Sequence, residues 1–210
     1  MVLLYYVIGD ERAFAQWTPI LLCVFPFLTM FLVTSIATLR ERSSGTLERM
    51  MAMPLGKLDL LLGYGIAFSA VAAAQAAVAT AVAYWVLGLT TAGSGALVIL
   101  IAVVNAVLGV ALGLFCSAFA RTEFQAVQFM PIVVIPQFLL CGVLVDRGQM
   151  AGWLQAVSDL LPLSYAVDAL REVGAHAEPT GAMWRDLSVV VGAVVVALVL
   201  AAATLRRRSG

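Results

Sequence analysis

A chain of 210 residues that is 63% hydrophobic and only 11% charged, with a mean hydropathy of +1.03, lies outside the ordinary soluble class, whose charged fraction is about 25%. Its 12 Lys and Arg balance 12 Asp and Glu to a formal net charge of zero, which argues against nucleic acid as a partner because phosphate binding draws on a basic surplus. The apolar residues come in long blocks rather than in alternating ten-residue segments, so helices, and not a barrel, satisfy the backbone in lipid.

In chain order, Met1–Gln16 carries the apolar run Val2–Ile8, which is too short to cross a bilayer and lacks the parts of a complete signal peptide. Five blocks then reach the roughly 20 residues that a spanning helix needs, at about 18–39, 60–87, 96–119, 126–145 and 187–205. The expected fold is all-α, a polytopic transmembrane helical bundle of five spans forming a single domain over 1–210. Pro19 and Pro26 fall in the first span, and a kink is expected near Pro26, with neighbours re-satisfying the freed carbonyls.

Leu39–Asp59 is a polar, charge-dense island between the first two spans. It sets Arg40, Arg42, Arg49 and Lys57 against Glu41, Glu48 and Asp59. Thr46–Met53 is rich in helix formers, and Leu47, Met50 and Met51 at offsets of three and four give one apolar ridge on a charged helix. Gly45 serves as N-cap, Glu48 favours the helix dipole from the first turn, and Pro54 closes the far end. A helix of roughly two turns is unstable alone, so a partner is expected to hold it.

The second block, begun at Leu58, would be about 45 Å long as a straight helix, against a hydrocarbon core of roughly 30 Å. Ala70, Ala73, Ala74, Ala77 and Ala81 line one face of it, and the third block holds Gly109 and Gly113 four apart. Small residues of this kind let helix backbones approach closely, and packing within the bundle is expected over a dimer seam. Thr90–Gly95 reads as a breaker-rich turn and Arg121-Thr122-Glu123 as a tight one.

Between Asp146 and Asp186 the pattern changes. Met150, Trp153, Leu154, Val157 and Leu161 recur at helical offsets, and Ser164 is expected to cap a second short helix carrying Val167 and Leu170. Neither piece can span. Trp153, Tyr165 and Trp184 suit the headgroup zone, so these helices are expected to lie in or dip into the outer leaflet, the alternative being an ordinary structured outer loop. If Leu39–Asp59 is cytoplasmic, eight of the twelve Lys and Arg share its side, leaving only Arg12, Arg147, Arg171 and Arg185 elsewhere. The positive-inside rule then puts the C-terminus in the cytoplasm and the N-terminus outside. That arrangement leaves two expectations: the short N-terminal tail is translocated unaided, or a further helix of the intact protein precedes this chain's first span.

Chemistry is sparse. Leu55-Gly56-Lys57-Leu58 lacks the upstream glycine and hydroxyl residue of a phosphate-cradling loop, and no metalloprotease, serine-elbow or Cys–His pattern is present. His176 is the single histidine, near Glu172 and Glu178, and reads as a solvated or locally bonded residue, with a metal ligand or proton relay as the lesser alternative. Cys23, Cys116 and Cys141 lie in or beside apolar spans without metal or paired spacing, as small buried residues do. Neither a metal nor a cofactor is expected. The span centres hold no Asp or Glu for a proton-coupled carrier. They hold amides, of which Gln75, Asn105, Gln125, Gln128 and Gln137 can bond between helices. Asn105, Gln125, Gln128 and Gln137 are also the candidate residues of a substrate pathway.

Arg40-Glu41-Arg42, Gly45-Thr46-Leu47-Glu48-Arg49 and Pro54-Leu55 together resemble the cytoplasmic loop of type 2 ABC exporter permeases, including bacterial drug-resistance exporters. Cys141-Gly142-Val143, Trp153-Leu154, Leu161-Pro162-Leu163-Ser164-Tyr165 and Ala169-Leu170-Arg171 resemble the outer signature of the same family. Members carry six spans per subunit, against five here. The resemblance implies a multi-pass cell-membrane subunit that pairs as a homodimer or heterodimer and contacts lipid. It also implies a separate ATP-binding ABC subunit that grips Thr46–Met53 as a coupling helix. Leu47, Met50 and Met51 would dock, with Pro54 ending the helix and Arg40, Glu41, Arg42, Glu48 and Arg49 orienting it. Trp153, Leu154, Pro162 and Tyr165 would shape an outer gate, and the cargo would be amphipathic or lipid-like. The competing readings are a non-transporting membrane scaffold or immunity-type subunit, and an uncoupled channel, which leaves the charged loop without a purpose.

Overall fold

The computed structural model describes residues 11–44, 57–86, 88, 91–143, 145 and 147–207. Among them are seven α-helices and no strand: α1 (Glu11–Ser43), α2 (Lys57–Trp85), α3 (Gly95–Ser117), α4 (Glu123–Leu140), α5 (Gly152–Leu160), α6 (Pro162–Ala175) and α7 (Gly181–Arg207), with a 3-10 turn at Arg147–Gln149 before α5. Five are long and apolar enough to cross a membrane, over Ile20–Ser43, Gly63–Trp85, Gly95–Ser117, Glu123–Leu140 and Gly181–Thr204. The expected five-span helical bundle is therefore present. Leu47, Met50, Met51 and the rest of the expected coupling helix, with Gly45 and Pro54, lie outside the described residues.

α3 is the hub, and its closest neighbour is α1. A methyl group built on Gly109 would lie 2.4 Å from Phe27 O, and one on Gly113 would lie 2.6 Å from Phe31 O. Asn105, one turn ahead on the same stripe, donates from Nδ2 to Cys23 O at 3.0 Å. Residues 105, 109 and 113 thus meet residues 23, 27 and 31 in register, which makes α1 and α3 parallel neighbours at backbone contact. Lipid tails are as apolar as leucine, so this close fit, and not exclusion from water, holds the pair together. The glycines pack within the bundle, as their spacing led us to expect.

A cluster built on α3 through Val98, Ile101, Leu108 and Ala111 joins Leu22 and Phe27 of α1, Val134 of α4, Ala166, Leu170 and Val173 of α6, and Met183, Leu187 and Val190 of α7. α2 is attached more loosely. Its buried residues are Ala72, Ala76, Thr80 and Ala83. This corrects the expected face: Ala70 and Ala74 are exposed, and Ala73, Ala77 and Ala81 only half-buried. Alanine occupies nine of the fourteen positions from Ala70 to Ala83, so the sequence carries little phase to choose a face by.

Three boundaries also move. α1 extends from 11 to 43 through Pro19 and Pro26, where Thr29 Oγ1 donates to Phe25 O at 2.9 Å and Pro26 O at 3.1 Å. α4 begins at Glu123 because Thr122 caps it, its Oγ1 accepting from Gln125 N at 3.2 Å, and it ends at Leu140 rather than 145 because Gly142 takes a φ of 84°. α6 begins at Pro162, with Leu161 as N-cap, so Ser164 lies inside the helix and does not cap it. Proline suits the first helical position, where its missing N–H costs nothing.

Gly109→Ala is expected to cost about 1–3 kcal/mol, the range for forcing an extra carbon into a packed site. Gly192→Ala, where a methyl meets nothing within 4 Å, should stay within about 0.5 kcal/mol. Thermal unfolding of the two variants in one mild detergent checks the difference.

Candidate functional site

The bundle has two ends, named here by their residues. At the Arg40 end, α1 finishes, α2 starts, α3 finishes and α4 starts; the opposite end, the crown, carries α5 and α6.

At the Arg40 end three consecutive residues reach three different helices. Arg40 makes a forked pair with Glu123 of α4, Nε to Oε1 at 2.7 Å and Nη2 to Oε2 at 3.0 Å. Glu41 lies beside Tyr64 on α2. Arg42 Nη1 donates to Ser117 O on α3 at 3.2 Å. The last turn of α1 can hold all three because residues one apart on a helix project about 100° apart. Two-point pairing of a guanidinium with a carboxylate also fixes orientation, which a lysine would not do. Ser44 N donates to Arg40 O at 2.9 Å, so the helix stays ordered up to the loop. Glu123 was not among the expected site residues. Its signal was available as the one acid in the short turn that shares a side with Arg40.

The four candidate pathway amides are not brought together. Asn105 is fully buried and occupied with Cys23 O. Gln137 is also buried, and its Nε2 donates to Val133 O at 3.1 Å in its own helix. Gln125 lies roughly 18 Å along the same helix from Gln137. Its Oε1 accepts from Arg121 N at 2.9 Å and closes the turn. Gln128 is exposed on the outside of α4.

At the crown, Trp153 is 70% exposed, Leu154 half-buried, and Pro162 opens α6. Tyr165 donates its hydroxyl to Asp159 O at 2.7 Å and lies beneath the Arg147 guanidinium, 5.4 Å from ring centre to Cζ. Of the gate residues expected from the sequence, Tyr165 touches the charged knot centred on Arg147. Arg147 pairs with both Asp159 and Asp168. Arg171 Nη2 donates to Gly142 O at 2.5 Å, and its Nη1 lies 3.7 Å from Asp168. Burial pushes the Asp168 carboxyl above the usual carboxylate range, with Arg147 and then Arg171 pulling the other way. Burial opposes charge on Arg147, but Asp168 and Asp159 more than restore it, so the guanidinium is held above its usual value. A Cβ at Gly142 would meet Arg147 Cγ and Arg171 Nη1, both at 3.2 Å. Nothing in the spacing of this segment marks Arg147, because its partners lie 12 and 21 residues away.

No cluster of three or more His, Cys, Asp or Glu able to hold a metal occurs among the described residues.

These features define a polytopic helical membrane protein with a charged loop root at one end and a knotted crown at the other. Residues 1–173 match the family described as ABC-2 type transporter, and the chain belongs to that family, a type 2 ABC permease. It is 27% identical over 169 residues to the probable multidrug ABC transporter permease YbhR of Escherichia coli (strain K12), covering 80% of this chain and 46% of that protein. It is 26% identical over 155 residues to ABC transporter G family member 20 of Dictyostelium discoideum, covering 74% and 21%. It is 22% identical over 167 residues to the linearmycin resistance permease protein LnrN of Bacillus subtilis (strain 168), covering 79% and 42%. The chain thus spans less than half the length of each of these relatives.

Gly142→Ala puts a side chain into a left-handed backbone and crowds both arginines; it is expected to cost about 1–2 kcal/mol from the backbone alone. Limited proteolysis should then cut within 141–161 faster than in the unsubstituted chain, with α1 and α3 still protected.

Proposed function

We propose that the chain is the membrane-embedded part of an ATP-driven exporter in the cell membrane, with a separate ATP-binding ABC subunit supplying the energy. Residues 1–210 act in it as one transmembrane unit. The Arg40 end faces the cytoplasm with the C-terminus, and the crown faces out. The cargo is amphipathic or lipid-like, and two such permeases, alike or different, pair around it. Two relatives whose printed names concern multidrug transport and linearmycin resistance support export of such a cargo.

One observation carries this reading. Arg40 and Arg42, at the root of the loop, are bonded to α4 and α3, and Glu41 between them lies beside Tyr64 of α2. Force applied to 45–56 therefore enters three helices at once. A loop serving only as a connection has no need of such a root, and a passive scaffold gains nothing from it. In the proposal, Thr46–Met53 docks on the ATPase through Leu47, Met50 and Met51, while Glu48 and Arg49 orient the contact. ATP closure moves the loop, and the root divides that movement among the helices. The crown then opens, with Trp153, Leu154, Pro162 and Tyr165 at the exit. Coupling of this sort needs a bundle with two arrangements that ATP and cargo both bias.

Glu48→Lys is expected to lower ATP-dependent efflux and cargo stimulation of the ATPase by about fivefold or more, the lower end of an allosteric coupling, with membrane insertion unchanged. Arg40→Glu should do the same, and Arg40→Glu combined with Glu123→Arg should recover most of the loss. Efflux from loaded vesicles containing both subunits measures this. Repeated purification in mild detergent without any ATPase, from cells expressing the neighbouring genes, would sink the proposal.

A further inference from the structure

The crown holds its two short helices in different ways. α6 buries Leu163, Ala166, Val167, Leu170 and Val173 among α1, α3 and α7. Its last carbonyls, Val173 O and Gly174 O, accept from Gly93 N at 2.9 Å and Ala92 N at 3.3 Å. α5 buries Ser158 alone, and Trp153, Val157 and Leu160 are exposed. What ties α5 down is polar. Ser158 Oγ donates to Leu140 O at 2.7 Å and lies 3.2 Å from Ser164 Oγ, and Tyr165 reaches Asp159 O. Between the helices stands one extended residue, Leu161, with φ −92° and ψ 118°, followed by the fixed φ of Pro162.

Arg147 is the charged link across this joint. Nη2 binds Asp159 in the last turn of α5 and Nη1 binds Asp168 in the middle of α6. The two pairs differ in setting: the Asp159 side chain is 55% exposed and that of Asp168 27%. An exposed ion pair is screened and easily broken, whereas a part-buried one is costly to leave unpaired. Tyr165 under the guanidinium and Gly142 beside its stem further keep Arg147 on the α6 side.

We infer that α5 is a hinged flap, pivoting at Leu161 on a stationary α6, and that Arg147 is its latch, releasing Asp159 while keeping Asp168. Opening frees Leu140 O and Ser158 at the end of α4 and costs little apolar burial. Its use as the exit gate rests on the exporter reading; the latch itself does not.

Hydrogen–deuterium exchange on the full chain in lipid nanodiscs tests it. With Arg147→Ala, amides of 154–160 should exchange about tenfold faster or more while those of 166–173 stay unchanged. Arg147→Lys, which can hold Asp168 but cannot fork to both acids, should fall between. Asp159→Asn should free α5 alone, and it decides the matter if Arg147→Ala does not insert. Unchanged protection of α5, or equal loss in α5 and α6, overturns the inference. Absence of ATP-dependent efflux with the unsubstituted chain would overturn the exporter reading and leave the exchange result standing.

Discussion

Backbone contact between α1 and α3 is the constraint on which the other positions depend. With Gly109 and Gly113 facing Phe27 O and Phe31 O, the two helices are closer than any pair of side chains would allow. Each residue pair along the stripe, 23 with 105, 27 with 109 and 31 with 113, also fixes the sliding register. In lipid no hydrophobic force would correct a slip, so register has to come from shape and from a bond such as that of Asn105 to Cys23 O. That bond falls in the turn where Pro26 offers no N–H and crowds the carbonyl of Leu22. An amide from the neighbouring helix thus serves the part of α1 that its own backbone holds least well.

Once α1 and α3 are locked, the remaining helices are placed by what they can reach. α6 and α7 fill the crown side of α3 through leucine and valine packing. α4 carries polar ties at both ends: Glu123 binds Arg40 at one, and Leu140 O receives Ser158 at the other. Its middle buries few residues and contains Pro131 and Pro136. A helix fastened at both ends and interrupted by prolines between them is suited to bend, since each proline removes one hydrogen bond from the ladder.

Span number, helix type and the pairing role of the glycines were legible in the sequence because each rests on a local rule: block length, backbone satisfaction in lipid, and small residues at helical spacing. The face of α2 was not, because a run of alanines has no periodicity to read. Ser164 misled because a hydroxyl near a helix start resembles a cap, while Pro162, two residues earlier, had the stronger claim on the first turn. The amides Asn105 and Gln137 were recognisable as polar groups in spans, but whether such a group faces a pathway or a neighbouring carbonyl is decided by rotation about the helix axis. The knot of Arg147 was illegible for a similar reason. Its partners are set by the fold of 141–171, which no pairing rule at short spacing encodes.

The two ends of the bundle are built on opposite principles, and that difference suits a device that transmits movement. At the Arg40 end, neighbouring residues of one rigid helix reach three others, so displacement there is shared. At the crown, α5 is attached through one joint and a few polar ties, so displacement can be concentrated. α1 and α3 run the distance between the ends as a close-packed pair, which on the exporter reading would carry movement rather than absorb it. A bundle loose throughout would dissipate a push from the loop, and one rigid throughout would not open. On the exporter reading, stiffness in the α1–α3 pair with compliance in α5 and the proline-bearing α4 would let a small motion at one face become a local opening at the other.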